Sequence, residues 1–311
     1  MRRGGLLLGL SLFLLTGCDG DAPGDAGPPD DARLPADTGP DDAGPDDAGP
    51  PPPTGPLRLA TWNLETFPRA PETVAEVARV VEEERLDLVA VQEITDVAAF
   101  DALEAALPGW EAIATDDDRF LQVGLLLRRD RFVVDRTDVL FATDGYVFPR
   151  SVLSAQLTVR RPPGLTPIDF RVLVLHLKAS IDEESRMRRQ AAVNRLDILV
   201  RGQLGDDSLE HDIVIAGDWN DGVTDPADEN VFGAMLDAPE TYRFLTEELE
   251  ASGEVSFLPF PVFLDHVAVT TDALTTLGAP TTEVRHLERA DADYRDTLSD
   301  HLPVVVEFPL P

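Results

Sequence analysis

Cysteine occurs once in 311 residues, at Cys18, so neither an intramolecular disulfide nor a cysteine-based zinc site can form. Lysine is equally scarce: Lys178 is the only one, and arginine supplies the rest of the 26 basic residues. Against them stand 58 acidic residues, for a net charge of −32. That shortage of positive charge excludes a general nucleic-acid coat protein, which needs a basic footprint. It does not exclude an enzyme acting on nucleic acid, because bound divalent cations reverse the local field. Methionine is limited to 3 residues and histidine to 5, so the placement of each histidine carries information.

The apolar fraction of 43% is enough to bury a sizeable core. Arg2 and Arg3 followed by the apolar stretch Leu6–Leu15 read as a secretory signal, too short to span a bilayer comfortably. Leu15-Thr16-Gly17-Cys18 resembles a bacterial lipobox, which implies that Cys18 is lipidated and that residues 1–18 form a lipoprotein-type signal. Residues 19–56 are a low-complexity Asp/Pro/Gly/Ala segment in which Asp-Asp-Ala-Gly-Pro repeats from Asp41 to Pro50. Mutual repulsion of its aspartates and its helix-breaking residues predict an extended, disordered tether. Residues 57–311 contain no Pro/Gly-rich break and read as one domain. These features predict a lipid-anchored, extracytoplasmic protein of a bacterial cell envelope, and a monomer is expected.

Short runs rich in Val, Leu and Ile predict strands at Leu57–Asn63, Leu86–Glu93, Val123–Arg128, Val152–Val159, Phe170–His176, Asp212–Asp218, Val262–Thr270 and Leu302–Phe308. Helical spacing appears in Pro71–Glu84, Val97–Ala106 and Glu183–Arg201. Neighbouring strands without helices between some of them predict mixed sheets in an α/β or α+β domain.

The chemistry-bearing residues collect at strand ends: Asn63, Glu93, His176, Asp218 with Asn220, Asp265, and Asp300-His301. Successive strand side chains alternate faces, so Asp218 and Asn220 share a face, as do His176 and Lys178. Carboxylate and amide oxygens suit Mg²⁺ or Mn²⁺ better than zinc, with Ca²⁺ as the alternative. Taken singly, each is an ordinary turn residue or cap; together and in this order they are not.

The ordered set Ala60-Thr61-Trp62-Asn63-Leu64, Val91-Gln92-Glu93, Pro149-Arg150, His176-Leu177-Lys178-Ala179, Gly217-Asp218-Trp219-Asn220-Asp221, Leu264-Asp265-His266-Val267 and Ser299-Asp300-His301-Leu302-Pro303 resembles the endonuclease/exonuclease/phosphatase superfamily. The resemblance implies a four-layered α/β sandwich, two mixed sheets face to face with helices outside. It implies Glu93 as the principal metal ligand, with Asn63 and Asp300 close to the metal. Asp218 and Asn220 would orient or deprotonate the attacking water. His301, held by Asp265, would stabilise the transition state or shuttle a proton, and His176 would act from the other side. Arg150 would grip phosphate, joined by Lys178. No carboxylate partner for His176 is identifiable beyond Asp118. The implied activity is metal-dependent phosphodiester hydrolysis, foremost an endonuclease on DNA or RNA. Alternatives are a sphingomyelinase or phosphoinositide phosphatase on phospholipid, and an inactive envelope binding protein. The Arg-rich helix (Arg186, Arg188, Arg189, Arg195) reads as a solvated face paired with Glu. The apolar stretch Phe257–Phe263 reads foremost as core packing, with a lipid-touching lip or a wall for a base or acyl group as the alternatives.

Overall fold

The computed structural model describes residues 53–311. The signal with Cys18, and the tether up to residue 52, lie outside the described residues. Among those described, no helix is long and apolar enough to cross a membrane.

Two six-stranded mixed sheets carry the fold. In the first, β1 (Leu57–Phe67) runs parallel to β2 (Leu88–Ile94) and antiparallel to β12 (Val304–Phe308). Its flanks are β4 (Gln122–Arg128) with β3 (Trp110–Ala114) on one side and β11 (Thr281–Val284) on the other. In the second, β7 (Ile168–His176) runs parallel to β8 (Ile213–Asp218), which pairs antiparallel with β10 (Asp265–Thr270). β5 (Phe132–Leu140), β6 (Val152–Val159) and β9 (Tyr242–Phe244) complete that sheet.

The period-two pattern explains the layers. Leu57, Leu59, Leu88 and Ala90 point inward and meet Val172, Val174, Val214 and Ala216 of the facing sheet. The alternate residues point outward. Ala60, Trp62, Val89 and Val91 pack with α1 (Thr73–Glu83) and α2 (Val97–Ala106), while Leu173, Leu175 and Ile215 pack with α3 (Glu183–Leu204). The result is the expected four-layered sandwich.

Local chemistry sets the helix ends. The Asp96 carboxylate accepts from Ala99 N at 3.2 Å and the Asp182 carboxylate from Ser185 N at 3.0 Å. Each such cap stabilises its helix by about 1 kcal/mol. Glu183 and Glu184 in the first turn of α3 and Arg201 in its last complement the helix dipole. The Arg-rich face is only partly solvated: Arg186 pairs with Glu183, but Arg189 is buried.

Four strands (β3, β5, β9 and β11) are not among those expected from the sequence. The expected strand over Val262–Thr270 begins only at Asp265. The residues before it form a turn in which Phe257 bridges Val262. The reading of Phe257–Phe263 as core also needs correction: Phe263 is buried, but Phe260 is 72% exposed. At the other end of β1, Arg131 is buried and donates to the carbonyls of Pro53, Gly55 and Pro56. The last residues of the sequence segment read as tether are thus fastened to the domain.

Candidate active site

The inward-facing series of each sheet turns from apolar to polar at one pole. Leu57, Leu59 and Thr61 lead to Asn63; Val172 and Val174 lead to His176; Val214 and Ala216 lead to Asp218; Val269 and Val267 lead back to Asp265. Strict alternation would send Glu93 outward with Val89 and Val91. Instead, the register shifts between Gln92 and Ile94, and Glu93 takes φ +65°. The bulge turns its carboxylate toward Asn63, a left-handed conformation of the kind found where function over-determines the backbone.

The β7–β8 pair brings His176 opposite Asp218. Gly217 permits this approach: a Cβ there would lie 2.0 Å from the Leu175 carbonyl oxygen. His176 Nε2 is 3.3 Å from Asp218 Oδ2 and 3.9 Å from Glu93 Oε1. The Asn63 amide donates to Glu93 Oε1 at 3.2 Å and to Asp218 Oδ2 at 3.0 Å. Seven sequence-expected residues therefore meet in one centre: Asn63, Glu93, His176, Asp218, Asp265, Asp300 and His301.

The two histidines have opposite electrostatics. Burial pushes His176 well below the ordinary imidazole value, helped by Arg150 and His301. His301 is equally enclosed, and burial alone would lower it. The Asp265 carboxylate, 2.7 Å from its Nδ1, outweighs this with Asp218 and Asp300 and raises it to about 10. One imidazole is thus held neutral and the other cationic, the division that separates base from acid. Burial raises Asp218 to about 7 despite His301, with Asp265 and Glu93 adding to the rise. Burial likewise raises Asp300 to about 6, with Glu65 and Glu93 adding to it.

His301 is fixed from behind. Ser299 Oγ donates to the Asn63 carbonyl at 2.6 Å and accepts from His301 N at 2.9 Å. Tyr294 Oη donates to the His301 carbonyl at 2.5 Å and accepts from Trp62 Nε1 at 3.2 Å. Neither Ser299 nor Tyr294 was singled out by sequence as a holder of the histidine. Glu65 was missed as well. It accepts from Asp300 N at 2.9 Å, and its position two residues beyond Asn63 was the available signal.

The remaining expected residues take other positions. Arg150 donates to the Leu177 carbonyl at 3.1 Å and feels the charge of Asp218 and Glu93. Lys178 turns its ammonium to the Ala179 carbonyl at 2.6 Å. Asn220, at φ +56°, gives its backbone N–H to Asp218 Oδ1 at 2.9 Å and its side-chain amide to the Leu177 carbonyl at 3.3 Å. It fixes Asp218 through the backbone. Asp118 is exposed and does not partner His176, whose Nδ1 is buried without a hydrogen bond. His266 lies behind the site, with Nε2 3.0 Å from the Asp221 carbonyl and Nδ1 2.8 Å from Thr246 Oγ1. Burial lowers it to about 4, so it is neutral, donating from Nε2 and accepting from Thr246.

A divalent cation fits this donor set. Glu93 and Asp300 are hard oxygen donors of the kind Mg²⁺ and Mn²⁺ take, whereas Asn63, expected beside the metal, turns its NH₂ to Glu93 and Asp218 and its Oδ1 to Glu65 N, and so holds the Glu93 carboxylate in place. Burial and mutual repulsion raise Asp300, the situation a bound cation relieves. Asp218, Asp265 and His301 also bring ligand atoms within 4.8 Å of one another, but His301 already occupies Asp265.

A family model described as endonuclease/exonuclease/phosphatase matches residues 60–301. No curated protein matches the sequence. Among solved structures, similarity extends to an endonuclease/exonuclease/phosphatase from Bacteroides vulgatus, with 16% identity, TM-score 0.60, and 82% of this chain and 99% of that one covered. It extends also to D. rerio TDP2 complexed with single strand DNA product, with 17% identity, TM-score 0.60 and coverage of 81% and 98%. A third is a Bacteroides thetaiotaomicron mannosyl-6-phosphatase, with 16% identity, TM-score 0.53 and coverage of 80% and 98%. At these identities the structures establish a shared fold.

Proposed function

The chain belongs to the endonuclease/exonuclease/phosphatase family, whose members are metal-dependent hydrolases of phosphoric ester bonds, and on that premise we propose that it is an extracytoplasmic endonuclease acting on DNA or RNA. The observation that carries this reading is the pairing of a neutral His176 and a cationic His301 on either side of Asp218.

Glu93 and Asp300 would hold a divalent cation, with Asn63 fixing the Glu93 carboxylate; the cation when bound supplies positive charge to the scissile phosphate. The protein's own groups do the rest. Asp218, steadied by Asn63 and by the Asn220 backbone, takes the proton of the attacking water. His176 lies beside the same carboxylate and, being neutral, does not lower its basicity as an imidazolium would. His301 offers its Nε2 proton to the phosphate or the leaving oxygen, while Asp265 fixes the tautomer through Nδ1. Arg150 balances charge as it builds on phosphate oxygens.

The lipobox-like Cys18 supports a lipid anchor on a bacterial envelope. The D. rerio protein bound to single strand DNA product supports a nucleic-acid substrate. The test uses the full chain in mild detergent with supercoiled plasmid and Mg²⁺ or Mn²⁺, beside an EDTA control and His301→Ala. Nicking that requires metal and vanishes in the variant is expected. Intact plasmid, together with uncut single-stranded DNA and RNA, after incubation with correctly folded, metal-binding protein refutes endonuclease activity.

A further inference from the structure

Three aromatic side chains are exposed among the described residues: Phe120, Tyr146 and Phe260. Each lies on a loop that enters or leaves the sheets at the catalytic pole: β3–β4, β5–β6, and the segment leading into β10. Phe260 belongs to a row of rings that starts in the reaction centre. The Phe257 ring sits 4.7 Å from His301 with a 47° tilt, and Phe260 follows 6.3 Å further at 34°. The segment is held in place by Leu258 N on the Asp300 carbonyl at 2.9 Å and by the bridge from Phe257 to His301. A phosphate placed against His301 therefore has its neighbouring substituent over these rings.

The charge around this row narrows what that substituent can be. Asp116, Asp117, Asp118 and Asp144 lie on the same loops as the other two exposed aromatics, and the one lysine of the chain is spent on a backbone carbonyl. The arginines beside the exposed rings are engaged as well, Arg119 with the Phe148 and Ala142 carbonyls and Arg188 with the Tyr146 carbonyl, so these groups are not free to follow duplex phosphates or an anionic lipid surface. Aromatic faces instead stack any unpaired base irrespective of sequence, whereas a base inside a duplex has both faces covered.

From this we infer that Phe257 and Phe260 receive the base next to the scissile phosphate, and that the substrate is single-stranded or locally unpaired nucleic acid. This inference rests on the nuclease reading of the site.

The test compares kcat/KM with Mg²⁺ for a single-stranded oligonucleotide, the same oligonucleotide in duplex, and bis(4-nitrophenyl) phosphate. Wild type, Phe260→Ala and Phe260→Trp are measured on each; Phe260 is exposed, so its replacement leaves the core intact. Wild type should prefer the single strand to the duplex. Phe260→Ala should lower the ratio of oligonucleotide to small-diester kcat/KM by about 5- to 150-fold, the range of one base–aromatic stack. Phe260→Trp should restore it. A preference for duplex, or a ratio unmoved by Phe260→Ala, overturns the inference while the phosphodiesterase reading stands. A loss confined to sphingomyelin or phosphatidylcholine vesicles also overturns it, in favour of a membrane lip. Folded wild type that cleaves none of these diesters overturns the nuclease reading and this inference with it.

Discussion

Replacing Asp265 by Asn isolates the charge behind His301 at nearly constant volume. The amide oxygen can still accept the Nδ1 proton, so what disappears is the charge that lifts the imidazole to about 10. If His301 returns to its ordinary value of 6.5, it loses about 5 kcal/mol of preference for the cation at most. At about pH 7.5 roughly one variant molecule in ten would then carry imidazolium, a tenfold loss from population alone. Loss of the correct tautomer deepens this, up to about 10⁴-fold by analogy with hydrolytic triads. The diagnostic readout is the shape of the profile. Between about pH 8.5 and about pH 6 the imidazolium population of the variant recovers roughly 50- to 100-fold, while that of wild type hardly changes. The ratio of wild-type to variant kcat/KM on bis(4-nitrophenyl) phosphate should shrink by that factor. Stability follows the same sign. The raised His301 stabilises the fold fully below about pH 6.5, and this is lost as pH rises through about 10, so the two melting temperatures should converge at alkaline pH. A ratio of rates that is equal at both pH values would refute a cationic His301 as the acid.

Gly217→Ala should destabilise the fold by roughly 1–3 kcal/mol or more, because its Cβ would fall 2.0 Å from the Leu175 carbonyl oxygen in a hydrogen-bonded sheet. Activity should fall with it as β7 and β8 part; an unchanged thermal midpoint would refute the close approach. Asp225 is raised to about 6 by burial and by Asp221, a sign that favours the fold at low pH and is lost as pH rises through that value. Asp225→Asn should therefore stabilise the protein at about pH 8 by up to roughly 1 kcal/mol, after screening at this exposed position, and give no gain near pH 4. Equal denaturation midpoints for variant and wild type at about pH 8 would remove that repulsion from the account.

Much of this site could be read from sequence because strand periodicity and chemistry coincide in it. Asn63, His176, Asp218 and Asp265 continue inward-facing apolar series, so the pattern that reveals the strand also fixes the face of its last residue. Glu93 breaks the pattern. Its position depends on a bulge and a left-handed backbone that no periodicity encodes; the strand end marked the residue, and only family resemblance implied its role at a metal. The strands that escaped notice are short or broken by polar residues; β5 interrupts its apolar residues with Asp135-Arg136-Thr137-Asp138, the first three of them exposed. Lys178 looked paired with His176 by alternation, but β7 ends at His176 and the Lys178 ammonium is drawn to the Ala179 carbonyl. The placing of Phe260 in the core failed for a related reason: composition cannot distinguish a buried apolar run from a tight turn whose tip faces water.

The centre draws Asn63 and Glu93 from one sheet and His176, Asp218 and Asp265 from the other, so neither sheet alone holds a complete set. A chain with one sheet formed and the other open has lost the contact between Asn63 and Asp218 and the reach of Asp265 to His301. Hydrolysis therefore acts as an interlock on assembly. A half-assembled chain stays chemically silent, and hydrolysis of a phosphoric ester begins only when its two halves have closed on each other.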